Sequence, residues 1–592
     1  MSEKVSVIRL LARLWTHISS RRRMQLVALA ILTLFGTVAE LASLGMVLPF
    51  LGVLTSPDRV FQHPWIQPLV SGLGLSTPHQ LLLPLTILFA AAAVVSGATR
   101  LALLWGQTRL GNAIGNDLGS AAYRRTLYQP YPVHVARNSS EVVAALMTKI
   151  NTVVYFIVIP TITIITSVFI VLTILVFMLF VDLELTLIAL LGFGCLYGIV
   201  VLSTKHRLAL NSQRVTVSQN RVAQVVQEGL GGIRDVLIDG LQETYFRIYR
   251  QADSQLRRAL SNIAIMGGAP RPVIEAFGIV LIGMLAYMLA IRTEGVSSAI
   301  PVLGALALAA QRLLPLVQQG YAGWSSIVGG KDSLRDVLSL LEQPLPAFGN
   351  ESPAIPMLFR KRINVCDLHF RYGAEGPWIL SGIDLEISRG SRVGFIGGTG
   401  SGKSTLLDIV MGLLSPTMGS IKIDGVEVDQ SNQRAWQSHI AHVPQVLYLA
   451  DATIAENIAF GVPPQDIDLG RVKEAAQRAQ IAGVIESWSA GYDTIVGERG
   501  VRLSGGQRQR IGIARALYKR ADVIVFDEAT SALDNDTERA VMEAINALSS
   551  DLTVLIVAHR LNTLEKCDQI IELGGGVIQR IGTYPEIVSP ST

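Results

Sequence analysis

Two short segments in the last third of the chain have residue types and spacing suited to phosphate chemistry. In the first, "GFIGGTGSGKSTLL", Gly397–Ser404 fits the pattern G-x-x-x-x-G-K-[ST]. Glycines at these positions let backbone N–H groups curve around phosphate oxygens, and the N-terminus of the next helix adds positive potential. We expect Lys403 to reach the β- and γ-phosphates and Ser404 to bind Mg²⁺. The pattern predicts binding of a nucleoside triphosphate.

The second segment, "ADVIVFDEATSALD", supplies the acidic residues that such a site needs. It is an apolar strand that ends in Asp527 and Glu528. An aspartate at this place suits Mg²⁺, directly or through water, and the adjacent glutamate suits polarising the attacking water. Two acidic residues after a strand can also form a helix cap, but the phosphate loop upstream favours catalysis. The pair therefore predicts hydrolysis of the bound triphosphate.

Strands and helices of an α/β domain must position these residues. The apolar segment "RVGFIG" precedes the phosphate loop and "STLLDIVMGLL" follows it, which is the strand–loop–helix order that the motif requires. We expect residues 362–592 to form this P-loop α/β domain. A linker rich in proline and polar residues, 341–361, joins it to residues 1–340.

Between the two segments lies "LSGGQRQRIGIARAL", which closely resembles the signature of the ATP-binding-cassette family. Other elements of that family then fall in order. Tyr372 in "FRYG" resembles the aromatic residue that stacks on adenine, and Gln445 in "HVPQ" resembles the Q-loop glutamine. Asp534 in "SALD" matches the D-loop. His559 in "VAHR" matches the switch histidine that contacts the γ-phosphate.

The resemblance implies a complete set of site residues, with ATP and Mg²⁺ as cofactors. The expected catalytic residues are Glu528 and His559. The expected magnesium ligands are Ser404, Gln445 and Asp527. The expected nucleotide-binding residues are Tyr372, Gly397, Gly398, Thr399, Gly400, Ser401, Gly402, Lys403, Ser404, Thr405, Gln445, Ser504, Gly505, Gly506, Gln507 and Asp534.

The first 330 positions are too apolar for an ordinary soluble protein. The chain of 592 residues is 50% hydrophobic and 16% charged, and its mean hydropathy is +0.42. Because about 20 apolar residues cross a bilayer, these positions predict a membrane domain with six helical spans. The predicted spans are 24–54, 80–106, 152–181, 184–203, 268–291 and 298–328. The net charge of only +4 gives no argument for nucleic-acid binding.

The basic residues set the orientation of the spans. Clusters such as Arg21–Arg23 lie before the first span and in alternate loops, so both termini are expected in the cytoplasm. We expect the two long cytoplasmic connections to form helical extensions that contact the cassette. The pattern of these segments, taken alone, would also fit solvated helical hairpins. Phe61–Gly74 is expected to form a short amphipathic helix on the outer side. Three well-separated cysteines without a CxxC pattern fit a reduced cytoplasmic environment.

The expected fold class is thus a multi-domain membrane protein. A six-helix transmembrane domain with long cytoplasmic helical extensions is followed by a P-loop α/β ATP-binding cassette. In the family that this chain resembles, signature residues of one subunit close over ATP held by the other. One cassette fused to six spans therefore implies a half-transporter that works as a homodimer, and the whole architecture resembles that of exporters.

Arginines inside or at the edge of predicted spans give a first sequence signal for the cargo. By helix rise, Arg100 and Arg271 lie near the inner headgroup boundary and Arg312 about 20 Å deep. Guanidinium groups suit phosphate, so the three arginines predict a cationic cavity for an anionic lipid. The alternative is structural pairing, with Glu275 bound to Arg271 at i,i+4 and Glu40 as an ion-pair partner across spans.

The membrane segments "PRPVIEAFG" and "QRLLPLVQQ" resemble PglK-type flippases of lipid-linked oligosaccharides and related polysaccharide exporters. This resemblance implies that a polyprenyl-pyrophosphate oligosaccharide or related glycolipid moves from the inner to the outer leaflet of a bacterial inner membrane. Two alternatives stay open. A multidrug or lipid A exporter would share the architecture, and an ATP-gated channel or regulator would use the cassettes to gate.

Overall fold

The computed structural model describes residues 6–55, 57–64, 66–181, 183–292, 296–346, 357–373, 375–527, 539, 541–543, 545, 550–558 and 560–588. By contacts between Cα atoms the chain divides into two units. The first unit consists of Met1–Gln129 and His134–Leu345, and the second of Pro130–Val133 and Pro346–Thr592.

In the part of the first unit that the structure describes, the regular structure is helical. Its helices are α1 Val7–Thr16, α2 Ser20–Gly45, α3 Val47–Thr55, α4 Pro57–Phe61, α5 Gln67–Leu73, α6 Leu82–Leu127, α7 Tyr131–Ala136, α8 Ser139–Ala144, α9 Ile150–Val153, α10 Ile159–Val181, α11 Leu183–Gly231, α12 Ile233–Ile238, α13 Gln242–Gly268, α14 Pro270–Arg292, α15 Val296–Gly329 and α16 Lys331–Leu341. Helix α7 spans the division between the two units. Two π-helical turns, Ala145–Lys149 and Val154–Val158, flank α9.

The two longest helices extend well beyond their apolar parts. Helix α6 has 46 residues and α11 has 49. A rise of 1.5 Å per residue makes each about 70 Å long, more than twice the roughly 30 Å of a hydrocarbon core. The predicted long helical extensions are therefore present.

Among the described residues, five helical segments are long and apolar enough to cross a membrane. They are Ser20–Thr55, Pro78–Leu127, Ser139–Phe180, Thr186–Gly231 and Gln242–Val280. The sixth predicted span, 298–328, lies within α15, which is one continuous helix.

The external segment differs from its prediction. A single helix over Phe61–Gly74 was expected, but the chain forms α4 Pro57–Phe61 and α5 Gln67–Leu73 with a break between them. The helix α5 ends at Gly74, whose φ of 64° is left-handed and closes the last turn. Apolar residues continue on both sides of this break, so the sequence alone predicted one helix over Phe61–Gly74.

Glycines on one face of α6 explain how this helix approaches the chain around α9. A Cβ at Gly111 would lie 2.4 Å from Ile159 Cγ1, and one at Gly115 would lie 2.4 Å from Val154 Cγ2. The four-residue spacing puts both glycines on the same side of α6. Small residues at this spacing let helices pack closely, as is common in membrane helices.

The second unit is an α/β fold with two sheets. Its strands are β1 Arg362–Arg371, β2 Trp378–Ser388, β3 Arg392–Ile396, β4 Met418–Ile423, β5 Val426–Glu427, β6 Ile440–Val443, β7 Val523–Asp527, β8 Thr553–Val557, β9 Gln569–Gly574 and β10 Val577–Gly582. Its helices are α17 Lys403–Val410, α18 Gln433–Gln437, α19 Ile454–Ile458, α20 Leu469–Arg478, α21 Ala482–Glu486, α22 Gly505–Lys519 and α23 Tyr584–Val588.

The larger sheet has the strand order β10-β9-β3-β8-β7-β6, and the five strands from β9 to β6 are parallel. The smaller sheet, β2-β1-β4-β5, is antiparallel. Parallel strands covered on both faces are expected to be apolar throughout, and all five residues of β8 are buried. The predicted P-loop α/β domain is confirmed.

Burial in this α/β unit makes a prediction for Cys567. The thiol is 9% exposed, and desolvation raises its pKa to about 12. In a variant with Cys195→Ser and Cys366→Ser, iodoacetamide at pH 8 should leave Cys567 unmodified in the native protein, because the reactive thiolate is scarce and inaccessible. Complete modification after denaturation, followed by mass spectrometry, is the control. Rapid modification of the native protein would contradict the buried position.

Candidate functional site

The loop between β3 and α17 contains two glycines whose backbone conformation and close neighbours disfavour any side chain. Gly397 has φ of 144°, and a Cβ there would lie 2.1 Å from the carbonyl oxygen of Leu573. Gly402 has φ of 98°, and its Cβ would lie 2.6 Å from Leu380 Cδ2. The positive φ angles and the closely approaching strands leave no room for a side chain at either position. The loop leads directly into the N-terminus of α17, which is the geometry of an anion-binding turn.

The side chain of Lys403 lies across this loop. Its Nζ donates to the carbonyl oxygens of Gly397 at 2.8 Å and Gly398 at 3.0 Å, and it lies 3.4 Å from Ser401 Oγ. The residue is 6% exposed, and these three partners are all neutral. Because none of these three partners is a carboxylate, they would not compete as counter-ions with a phosphate at Nζ. Ser404 and Thr399 are exposed at the same loop.

Asp527 ends β7, two strands from β3 in the larger sheet, with β8 between them. It pairs with Val557 on β8. A second carboxylate belongs to Asp408 on α17, and burial, with a smaller contribution from the charge of Asp527, raises the pKa of Asp408 to about 6. The sequence analysis missed Asp408, because nothing in its local pattern shows that α17 turns this side chain toward β7. The strand end and the phosphate loop thus share one electrostatic environment.

The signature segment forms a helix N-terminus. Ser504 caps α22, and its backbone N–H donates to Gln507 Oε1 at 2.8 Å while Gln507 N–H donates to Ser504 Oγ at 3.3 Å. This reciprocal capping box fixes the start of the helix. Ser504 is exposed. The dipole of this 15-residue helix gives its N-terminus a partial positive charge. Because Ser504 is exposed, an anion at the surface could reach this end of the helix.

Two other predicted residues lie at the surface of the cassette. Tyr372 follows β1 and is 53% exposed, and its ring stacks edge-to-face on Phe370 at 4.9 Å between centroids. A fixed, exposed ring of this kind suits stacking on a base. Gln445 follows β6 and is exposed. Glu528, Asp534 and His559 lie outside the described residues, so their roles stay predictions.

The membrane unit contains a buried ion cluster that joins three helices. Glu40 of α2 accepts hydrogen bonds from Arg100 of α6 and Arg312 of α15, with 3.1 Å from Arg100 Nε and 2.5 Å from Arg312 Nη1. Arg100 Nη2 donates to the same carboxylate. Ser96 donates to Glu40 Oε2 at 2.6 Å, and Arg312 also reaches Ser43 at 3.4 Å. We call these five residues the Glu40 cluster.

This cluster revises the arrangement of the arginines. Arg100 and Arg312 were expected at different depths along their helices, and their guanidinium groups bind one carboxylate. Arg271 is separate, and its Nε bonds Glu275 Oε1 at 2.9 Å within α14. The structural pairing that the sequence left open is thus present at both places.

Matches with known proteins follow the two units. The ABC transporter family model matches residues 380–531, and the model of the ABC transporter transmembrane region matches residues 26–302. An ATP-dependent lipid A-core flippase of Chromohalobacter salexigens is 34% identical over 400 residues, 67% of this chain and 67% of that protein. One of Alkalilimnicola ehrlichii is 28% identical over 565 residues, 94% of each protein.

A solved structure shares the whole fold. The structure of a bacterial Atm1-family ABC exporter with ATP bound has a TM-score of 0.78 and 23% sequence identity, and the match covers 96% of each chain. The chain belongs to the ABC transporter family. It is an exporter-type half-transporter, an integral membrane protein whose cassette binds and hydrolyses ATP to drive transport. The predicted fold class and ATPase activity are confirmed.

Proposed function

We propose that this protein is an ATP-driven flippase of a phosphorylated glycolipid of the lipid A-core type. It moves the lipid from the inner to the outer leaflet of a bacterial inner membrane by alternating access. The observation that carries the proposal is the similarity of both domains to flippases of that name, over 94% of the chain in one case. The polyprenyl-pyrophosphate oligosaccharide that the sequence favoured has less support, and the lipid A alternative has more.

The cassette supplies the driving reaction. Lys403 and the loop N–H groups hold the phosphates of ATP, and Tyr372 stacks on adenine. Ser404, Gln445 and Asp527 offer the hydroxyl, amide and carboxylate oxygens that Mg²⁺ accepts as ligands. Bound Mg²⁺ would neutralise charge that develops on the phosphates. Glu528 polarises the attacking water, and His559 contacts the γ-phosphate.

A homodimer completes the site. At the capped N-terminus of α22, Ser504 is exposed and Gly505 is partly exposed, whereas Gly506 is buried. In the proposed cycle these groups close over ATP bound by the second subunit. Closure on two ATP favours the outward-open state, and hydrolysis restores the inward-open state, as a population shift that ATP binding drives.

The Glu40 cluster supports an anionic substrate. It holds two guanidinium groups and one carboxylate, so one positive charge is in excess within a membrane helix bundle. Charged residues at such depth are costly and mark substrate pathways more often than scaffolding. Arg271 would contribute from α14, where its side chain is 69% exposed. The same charge would suit a lipid pyrophosphate, which remains the second candidate.

Replacing Arg312 with alanine should reduce transport more than ATP hydrolysis. We expect flipping of a phosphorylated glycolipid to fall about tenfold, because one charge-assisted contact contributes on the order of 1.5–3 kcal/mol. Basal ATPase should change less than twofold. Arg257→Ala is the matched control, since Arg257 also pairs with a carboxylate but is 75% exposed on α13. Unchanged flipping in proteoliposomes would contradict the role of Arg312.

The proposed substrate class is tested by stimulation of ATPase activity in nanodiscs. Lipid A-core glycolipid, a polyprenyl-pyrophosphate oligosaccharide and an uncharged amphiphilic drug are compared at equal mole fractions. Greatest stimulation by the lipid A-core glycolipid is expected. Greatest stimulation by the oligosaccharide would favour the second candidate, and equal stimulation by the drug would favour a multidrug exporter. No stimulation by any of the three would favour an ATP-gated channel.

A further inference from the structure

The carboxylate of Glu40 is the most completely bonded charged group in the membrane unit among the described residues. Its side chain is 3% exposed. Oε1 accepts from Arg100 Nη2 and Arg312 Nη1, and Oε2 accepts from Arg100 Nε and Ser96 Oγ. Two donors to each oxygen leave the carboxylate no room for a further ligand. Glu40 is therefore not itself a site for a cation or a proton donor to substrate.

The two arginines differ in how completely they are bonded, since Arg312 donates from Nη1 to Glu40 and Ser96 and from Nη2 to Ser43. A guanidinium carries five N–H groups. Arg100 uses one from Nε and one from Nη2 on Glu40, and no further partner of Arg100 lies among the described residues. Its side chain is 49% exposed, compared with 23% for Arg312. The unused N–H groups of Arg100 thus face out of the cluster, and this side chain is where the excess positive charge is accessible.

We propose that Glu40 is a specificity-determining residue that sets the charge of the lipid-headgroup site. Glu40 holds Arg100 and Arg312 together and cancels one of their two charges. The cluster then presents one net positive charge, through Arg100, to one anionic oxygen group of the substrate. This proposal rests on the proposed function, because it names the charge that the headgroup site prefers.

A purely structural role for Glu40 makes a different prediction. If the carboxylate only ties α2, α6 and α15 together, its removal lowers stability and transport of every substrate alike. If it sets the net charge, its removal changes which substrate is preferred. The discriminating quantity is therefore a ratio of affinities for two headgroups that differ in charge, rather than the activity with one of them.

The experiment measures half-maximal concentrations for ATPase stimulation by bisphosphorylated and monophosphorylated lipid A in nanodiscs. Glu40→Gln raises the net charge of the cluster by one. We expect the preference for the bisphosphorylated lipid to increase at least about tenfold, which is the effect of one added charge roughly 12 Å from the second phosphate at an effective dielectric constant of about 20. The control is Asp253→Asn, the same change of acid to amide at an i,i+4 ion pair within α13, which should leave the preference unchanged.

A double variant, Glu40→Gln with Arg312→Gln, returns the net charge to that of the wild type. It should return the preference toward the wild-type ratio, although it removes more of the structural contacts. If Glu40→Gln does not fold alone, the double variant is compared with Arg312→Gln, because these two variants differ only in the charge of residue 40. The preference for two phosphates should be greater in the double variant, and an equal ratio overturns the proposal. An unchanged ratio in the folded variant overturns the proposal.

The result also separates this inference from the proposed function. If neither lipid stimulates the wild-type protein, the lipid A-core function is overturned. If both lipids stimulate the wild type and the Glu40→Gln variant with the same ratio, only the role of Glu40 is overturned. The expected result is stimulation of the wild type together with a shifted ratio in the variant.

Discussion

Replacing Lys403 with alanine should reduce ATP hydrolysis by about 10²–10³-fold, the loss seen when one preorganised charge-stabilising group is removed. The Nζ atom lies within 3.0 Å of two loop carbonyl oxygens, so a bound phosphate would meet it without rearrangement of the helix. The measurement is steady-state phosphate release by purified protein in nanodiscs.

Lys519→Ala is the matched control for that variant. Lys519 is also a lysine whose Nζ donates to a backbone carbonyl oxygen, that of Gln437 at 2.9 Å. The residue is exposed, although partial desolvation of its ammonium group lowers its pKa. It lies at the C-terminal end of α22, away from the phosphate loop. Its loss should lower the melting temperature but leave hydrolysis per folded molecule within about twofold, because surface-proximal contacts like this affect stability by about 1 kcal/mol. Near-normal hydrolysis by Lys403→Ala would refute the assigned site.

Replacing Glu528 with glutamine should abolish turnover and leave ATP bound. Glutamine keeps the shape of the side chain but cannot accept the proton of the attacking water, and general-base catalysis contributes roughly 10²–10⁴-fold. ATP should therefore be trapped in a closed dimer, detectable as retained nucleotide after gel filtration. The control is Glu498→Gln, a change of the same kind in the exposed "VGERG" loop. Substantial steady-state hydrolysis by Glu528→Gln would overturn its assignment as the base.

The sequence predicted the cassette in detail because its chemistry is local. The phosphate loop, the strand ending in Asp527 and the helix cap at Ser504 each depend on residues a few positions apart, and the structure forms each of them. Asp408 was missed for the opposite reason. Its interaction with Asp527 joins residues far apart in the chain, and no periodicity in α17 reveals which strand its side chain faces.

In the membrane unit, too, the sequence predicted local features but not the contacts between residues far apart in the chain. The apolar segments could be predicted because the thickness of a bilayer fixes the length of the helices that cross it. The ion pair of Arg271 and Glu275 could be predicted from its i,i+4 spacing. The sequence did not show which arginines meet at Glu40. Helix packing determines these contacts, which join residues 60 and 272 positions apart in the chain. Helix rise places each backbone position separately, so it could not show that the long side chains of Arg100 and Arg312 meet at one carboxylate.

ATP-dependent flipping in proteoliposomes tests the central claim most directly. Wild-type protein is reconstituted with lipid A-core glycolipid, and the loss of glycolipid from the leaflet on the cassette side is followed after addition of ATP and Mg²⁺. We expect loss with the wild type and none with Lys403→Ala. Hydrolysis of ATP by the wild type without any movement of the glycolipid beyond that seen with Lys403→Ala would contradict the account.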